Sequence, residues 1–124
     1  MKILVVDDEK DMQLLFQQRF RKEIKNDEIS FMFSLSGEEA LKTLQKMKQE
    51  AVLILSDINM PGMSGLELLE KIKHDFKNPP PVVMMITAYG DDENYKKAIQ
   101  LGADDFLTKP LDFTYLKSIL KKIS

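Results

Sequence analysis

The sequence predicts a doubly wound α/β domain: one five-stranded parallel sheet, strand order 2-1-3-4-5, with five helices divided between its two faces. Three observations lead there. Five short apolar runs alternate with segments whose apolar residues recur at helical spacing. The first, third and fourth runs are almost wholly apolar, as strands covered on both faces are. The second run, with Ser30 and Ser34, and the fifth, with Asp104-Asp105, carry the polar residues of sheet edges. Right-handed crossovers then favour that order.

The elements follow in sequence. Ile3-Leu4-Val5-Val6 is the first strand and runs into Asp7-Asp8-Glu9. Met12, Leu15, Phe16 and Phe20 mark the first helix, and Ile29 to Phe33 the second strand. Ser36 and Glu39 form a capping box ahead of Ala40, Leu41, Leu44 and Met47. The third strand, Val52 to Leu55, is followed by Ser56 and Asp57. A second capping box, Ser64 with Glu67, precedes Leu66, Leu69 and Ile72. Val82 to Ile86 is the fourth strand, followed by Thr87. Asp91-Asp92-Glu93 places acid at the start of a helix carrying Tyr95, Ala98 and Ile99, which stops at Gly102. Phe106-Leu107-Thr108 leads into Lys109-Pro110, and Asp112 caps a last helix with Leu116, Ile119, Leu120 and Ile123 on its apolar face.

Composition narrows the function. A chain of 124 residues makes one domain with a real core. A net charge of -2, with no Lys/Arg block, predicts no direct nucleic-acid binding. The absence of cysteine excludes disulfides and thiolate metal sites and fits a reducing, cytoplasmic setting. No apolar stretch approaches the roughly 20 residues that span a bilayer, so no membrane association is expected. The start goes straight into a strand, so no secretory signal is expected either.

The chemistry comes from strand ends. A parallel sheet delivers the C-terminal residue of every strand to one edge, so Asp7, Asp8, Asp57, Thr87 and Lys109 should share a pocket. Singly, each has a bland reading as a turn, cap or solvated residue. Together they do not. Carboxylates about 4 Å apart repel by on the order of 4 kcal/mol per pair at an effective dielectric of about 20. A bound cation removes that cost, and an all-oxygen set selects a hard ion, Mg²⁺ or Mn²⁺ in its place. A divalent ion, an ammonium and a hydroxyl around a carboxylate suit a phosphoryl group. Asp57, at the end of a central strand and before the loop with Pro61, Gly62 and Gly65, is the carboxylate placed to become an acyl phosphate.

With these residues in view, the chain resembles the receiver domains of two-component response regulators, over essentially all 124 positions. The marks are Val5-Val6-Asp7-Asp8-Glu9, Ser56-Asp57-Ile58-Asn59-Met60-Pro61-Gly62-Met63-Ser64-Gly65, Thr87-Ala88, Gly102-Ala103-Asp104-Asp105-Phe106 and Lys109-Pro110. The resemblance implies a flavodoxin-like fold with Asp57 as phosphoacceptor, charged by the phosphohistidine of a sensor histidine kinase or phosphotransfer protein. It implies that Asp8, Asp57 and the backbone carbonyl of Asn59 hold the metal, with Asp7 acting through water. Lys109 pairs with Asp57 and then with the phosphoryl oxygens. Thr87, with Ala88 beside it, binds the phosphoryl group, and Phe106 turns inward into the space that Thr87 vacates. The Lys109-Pro110 peptide is expected to be cis. Asn59 and a bulky Tyr89 are expected to tune dephosphorylation, with a lifetime of minutes rather than seconds. A homodimer is expected through the fourth helix, fifth strand and fifth helix, around Tyr95, Lys96, Asp104, Asp105, Tyr115 and Lys117. The output domain or protein stays open.

Two rivals fit less well. An aspartyl-nucleophile phosphatase of the haloacid-dehalogenase type carries a second acid two positions on, where this chain has Asn59, and a cap domain has no counterpart here. A flavin- or nucleotide-binding module needs a phosphate loop after the first strand, where Asp7-Asp8 would repel phosphate. A multiple-turnover enzyme is therefore not expected.

Overall fold

The apolar runs Ile3–Val6, Leu53–Leu55 and Val83–Ile86 are shielded from water on both sides, which sets their strands in the middle of the sheet. The computed structural model describes residues 1–47, 53–76, 80–88 and 90–123. Along the chain run β1 (Lys2–Val6), α1 (Asp11–Arg19), α2 (Arg21–Lys25), β2 (Ser30–Ser34), α3 (Gly37–Met47), β3 (Leu53–Asp57), α4 (Gly65–Asp75), β4 (Val82–Thr87), α5 (Asp92–Gln100), β5 (Asp105–Thr108) and α6 (Phe113–Ile123). All strand pairs are parallel, in the order β2-β1-β3-β4-β5.

Alternation along the strands builds two core layers. Leu4, Val6, Ile54, Val83 and Met85 face α3, α4 and α5, meeting Ala40, Leu44, Leu68, Ile72 and Ala98. Ile3, Val5, Leu55, Met84 and Ile86 face α1 and α6, meeting Phe16, Phe20, Leu116 and Leu120. In that second layer Phe16 stacks on Phe20 with centroids 5.9 Å apart and meets the edge of Phe113 at 5.2 Å.

The structure corrects the expected helix count. Among the described residues there are six helices, because the first predicted helix stops at Arg19 and a second, short one, α2, follows Phe20. Phe20 leaves helical dihedrals (φ −107°, ψ 24°), yet its N–H still donates to Phe16 O and its carbonyl accepts from Ile24. The turn keeps the Phe20 ring fully buried among Phe16, Phe31 and Phe113. The strands also differ in their bounds. β2 starts one residue later than expected, and β3 and β4 extend to include Asp57 and Thr87 as their last residues. Val52, at the expected start of the third strand, lies outside the described residues.

Caps hold the helices as capping chemistry predicts. Ser64 Oγ accepts from the Glu67 N–H, and Glu67 reaches back to the Ser64 N–H. Ser36 Oγ accepts from Glu39, but the Glu39 carboxylate reaches the Leu35 N–H at 3.4 Å. Asp91 and Asp112 accept from Asn94 and Tyr115.

Candidate functional site

β1, β3, β4 and β5 deliver Asp7, Asp57, Thr87 and Lys109 to one edge of the sheet. Asp7 and Asp57 are only 4% and 3% exposed, whereas their neighbour Asp8 lies at the surface. Asp7, Asp8 and Asp57 each offer a carboxylate oxygen within 4.8 Å of the others.

Backbone geometry fixes Asp57. Ser56 Oγ donates to the Asp57 carbonyl at 3.0 Å, and the Asn59 N–H donates to Asp57 Oδ1 at 3.3 Å. The loop beyond is pinned by the Ile58 N–H to Ile86 O (3.2 Å) and the Gly65 N–H to Ile58 O (2.7 Å). That close approach requires glycine. A Cβ at position 65 would sit 2.7 Å from Ile58 Cα and collide with the Asp57 carbonyl. The second Asp57 oxygen, Oδ2, accepts from Lys109 Nζ at 2.7 Å. Lys109 is itself tied to β4 through its N–H, which donates to Thr87 O at 2.9 Å, and the Lys109-Pro110 peptide is cis.

Electrostatics mark the site. Burial pushes the Asp7 carboxyl above the usual aspartate range; the charges of Asp57 and Glu9 add to this, against the Glu9 N–H and Lys109, which pull it down. Partial burial works to lower the Lys109 ammonium, but the hydrogen bond to Asp57 and the charges of Asp57, Asp7 and Glu9 prevail and raise it. Asp7 Oδ1 accepts from the Glu9 N–H at 2.9 Å, while Asp7 Oδ2 is buried with no partner. An orphaned carboxylate oxygen in an all-oxygen cluster of three acids fits a hard divalent cation.

The remaining predicted residues surround this centre. Thr87 is buried at the end of β4, and Ala88 follows at the surface, its carbonyl accepting from the Asp91 N–H. Phe106 is partly buried, its ring tilted against Tyr95 with centroids 4.4 Å apart. Tyr89 lies outside the described residues. Among the charges expected on the dimer face, Asp104 takes Lys73 Nζ at 2.8 Å and the Val83 N–H at 2.8 Å, and Lys117 pairs with Glu23 at 3.1 Å. Both therefore have partners within the chain. His74 is exposed and bonded to Asp75.

Gly65, read from sequence as one of the loop glycines before the pocket, is the one that packs against the Asp57 and Ile58 backbone. One feature was not picked out from sequence: a groove of about 730 Å³ that opens beside Asp7 and Lys109. Met12 and Leu15 of α1 and Leu111 and Phe113 before and within α6 give it apolar walls; Glu9, Arg19 and Asp112 give it charge. The spacing of Met12 and Leu15 on one helical face was its only trace in the sequence.

The family model described as "Response regulator receiver domain" matches residues 3–121. The chain is 42% identical over 82 residues to a cyclic di-GMP phosphodiesterase of Thermotoga maritima, covering 66% of this chain and 21% of that protein. It is 32% identical over 123 residues to response regulator RppA of Synechocystis, covering 99% of this chain and half of that protein. It is 32% identical over 124 residues to chemotaxis protein CheY-3 of Vibrio cholerae, covering 99% and 91%. The chain thus spans half or less of the length of the first two. A solved receiver domain from Clostridium thermocellum superposes with a TM-score of 0.83 at 26% identity, covering 98% of this chain and 92% of that one. No helix among the described residues is long and apolar enough to cross a membrane.

Proposed function

Since the chain belongs to the response regulator receiver domain family, we propose that it takes a phosphoryl group from a phosphohistidine onto Asp57 and changes shape in response. One observation carries this reading above the others: Lys109 Nζ and two further carboxylates, one of them buried as well, converge on the buried carboxylate of Asp57.

In the step proposed, an Asp57 oxygen attacks the phosphorus of the donor. The P–N bond breaks, its electron pair returns to the imidazole nitrogen, and an acyl phosphate forms. The Asp7, Asp8 and Asp57 carboxylates and the Asn59 carbonyl would hold Mg²⁺ or Mn²⁺, which supplies charge neutralisation to the phosphoryl oxygens. Lys109 shifts from Asp57 Oδ2 to a phosphoryl oxygen, and Thr87 donates its hydroxyl. Thr87, held in β4 beside Lys109, couples that event to Phe106 of β5 and to α5.

The partner is a sensor histidine kinase or phosphotransfer protein, consistent with a cytoplasmic place. The groove beside Asp7 and Lys109 gives it a seat next to the acceptor, and Leu14 on α1 is 61% exposed. The α5–β5–α6 face, with Tyr95 and Tyr115 exposed, is the proposed place of output or dimerisation. Turnover is stoichiometric, followed by autodephosphorylation.

Incubation with acetyl phosphate and Mg²⁺, read by intact mass, tests the reading. One phosphoryl group added to the chain and none to Asp57→Asn is expected. Repeated turnover of small phosphate esters with no lasting adduct would overturn it in favour of a phosphatase.

A further inference from the structure

β2 is one edge of the sheet, and its hydrogen bonding is half used. The Ser30 N–H donates to Met1 O, and Ser34 O accepts from Asp7. With the β1–β2 register, Ser30, Met32 and Ser34 therefore turn both backbone groups toward β1. Phe31 and Phe33 turn theirs outward, where no hydrogen-bond partner is found among the described residues. At the ends of the edge, the Ile29 N–H is taken by Glu23 O and the Leu35 N–H by the Glu39 carboxylate. The open groups are thus the two N–H and C=O pairs of Phe31 and Phe33.

This edge also lacks the usual protection. From Ile29 to Gly37 there is no charged residue and no proline. Met32 and Leu35 are 37% and 38% exposed. Exposed edges are ordinarily blunted by charge, proline or a bulge. The opposite edge has such guards: β5 begins at Asp105 and runs into Lys109-Pro110.

We propose that β2 pairs antiparallel with β2 of a second copy of the chain, about a two-fold axis at Met32. A strand that fits here is uncharged and apolar, and β2 itself is such a strand. In this register Phe31 lies opposite Phe33 of the second copy, and the two exchange both backbone hydrogen bonds. Met32 faces Met32. Within the paired strands, Ser30 to Ser34, there is no charged residue, so no like charges oppose there. The contact is isologous and uses up both β2 edges, so with β5 guarded it closes at a dimer. It does not depend on Asp57 phosphorylation.

Sedimentation velocity of the unphosphorylated chain over a range of concentrations, with hydrogen exchange, tests this. A reversible dimer is expected, in which the Phe31 and Phe33 amides gain protection as concentration rises. Met32→Lys should weaken it by roughly tenfold or more with an unchanged circular dichroism spectrum, because two ammonium groups then face each other. In a chain without cysteine, Met32→Cys should form a disulfide with itself. Opposed residues in such a pair lie about 4.5 Å apart between Cα atoms, within the range a disulfide spans. Tyr115→Cys, exposed on α6, should cross-link far more slowly. Three results would each overturn the proposal: a monomer at every concentration, a dimer indifferent to Met32→Lys, or cross-linking at position 115 as fast as at 32. None of these bears on Asp57 as phosphoacceptor, which the mass experiment tests separately.

Discussion

Lys109 Nζ sits 2.7 Å from Asp57 Oδ2, joining the end of β5 to the end of β3 across the intervening strand β4. The acid is almost wholly enclosed, and the lysine side chain is 38% exposed. The pair is therefore less screened by solvent than a surface ion pair.

Removing the lysine should leave Asp57 and Asp7 facing each other without a counter-charge. Lys109→Ala is expected to lower metal-free stability by about 1–2 kcal/mol, discounted for the solvent-exposed part of the lysine. Phosphoryl uptake from acetyl phosphate should slow by roughly tenfold or more, since a positive charge aimed at the reacting oxygens is lost. Thermal melts and intact-mass time courses measure the two. Wild-type values for both would mean that the contact contributes nothing.

The raised pKa of Asp7 gives stability a definite pH dependence. A carboxyl whose folded pKa lies above its unfolded one favours the folded state when protonated. Its contribution therefore grows as pH falls through the raised value, and its charge destabilises above it. Lys109, also raised, has the same sign in a higher pH range: its stabilisation is complete below the ordinary lysine value and is lost as pH rises through the folded one. Asp7→Asn should therefore stabilise the metal-free chain at pH 7 by about 1 kcal/mol, or roughly 4 °C in Tm. It should also abolish most of the extra stability that added Mg²⁺ gives the wild type. Denaturation between pH 5 and 8, with EDTA or Mg²⁺, checks both arms; a variant less stable than wild type in EDTA contradicts the sign.

Gly65→Ala tests whether backbone proximity builds the site. The added methyl would meet Ile58 Cα and the Asp57 carbonyl, which are main-chain atoms with little room to give. A loss of about 2–3 kcal/mol is expected, with phosphoryl uptake reduced as the loop moves. Near wild-type stability and uptake would show that the loop yields without displacing Asp57.

Tyr95 and Phe106 form the aromatic contact nearest the proposed switch. A double-mutant cycle with Tyr95→Ala and Phe106→Leu should give a coupling of about 0.5–1.5 kcal/mol in the unphosphorylated chain. Adding the phosphate mimic BeF₃⁻ should reduce that coupling as Phe106 moves away. Equal coupling in both states would remove Phe106 from the switch.

Much of this arrangement was legible in the sequence because it depends on strand ends. Polar residues at Ser30, Ser34 and Asp105 marked the two edges, and the position after each apolar run located Asp7, Asp57, Thr87 and Lys109. What escaped depends on packing between distant segments. The apolar spacing from Met12 to Ile24 is continuous, so nothing local announces the break that Phe20 makes to stay among its neighbouring rings. Asp7 and Asp8 are the same residue side by side, and only the tertiary fold buries one and exposes the other. Likewise, Asp104 and Lys117 read as free surface charges until α4 brings Lys73 and α2 brings Glu23 beside them.

The ring cluster has a consequence for biosynthesis. Phe16 lies in α1, Phe20 at its end and Phe113 in α6, so the layer that holds α1 is incomplete until α6 has left the ribosome. The same is true of the charges. A nascent chain carries Asp7, Asp8 and Asp57 long before Lys109, which offsets them, emerges, so the synthesis of β5 and α6 both supplies that ammonium and completes the core.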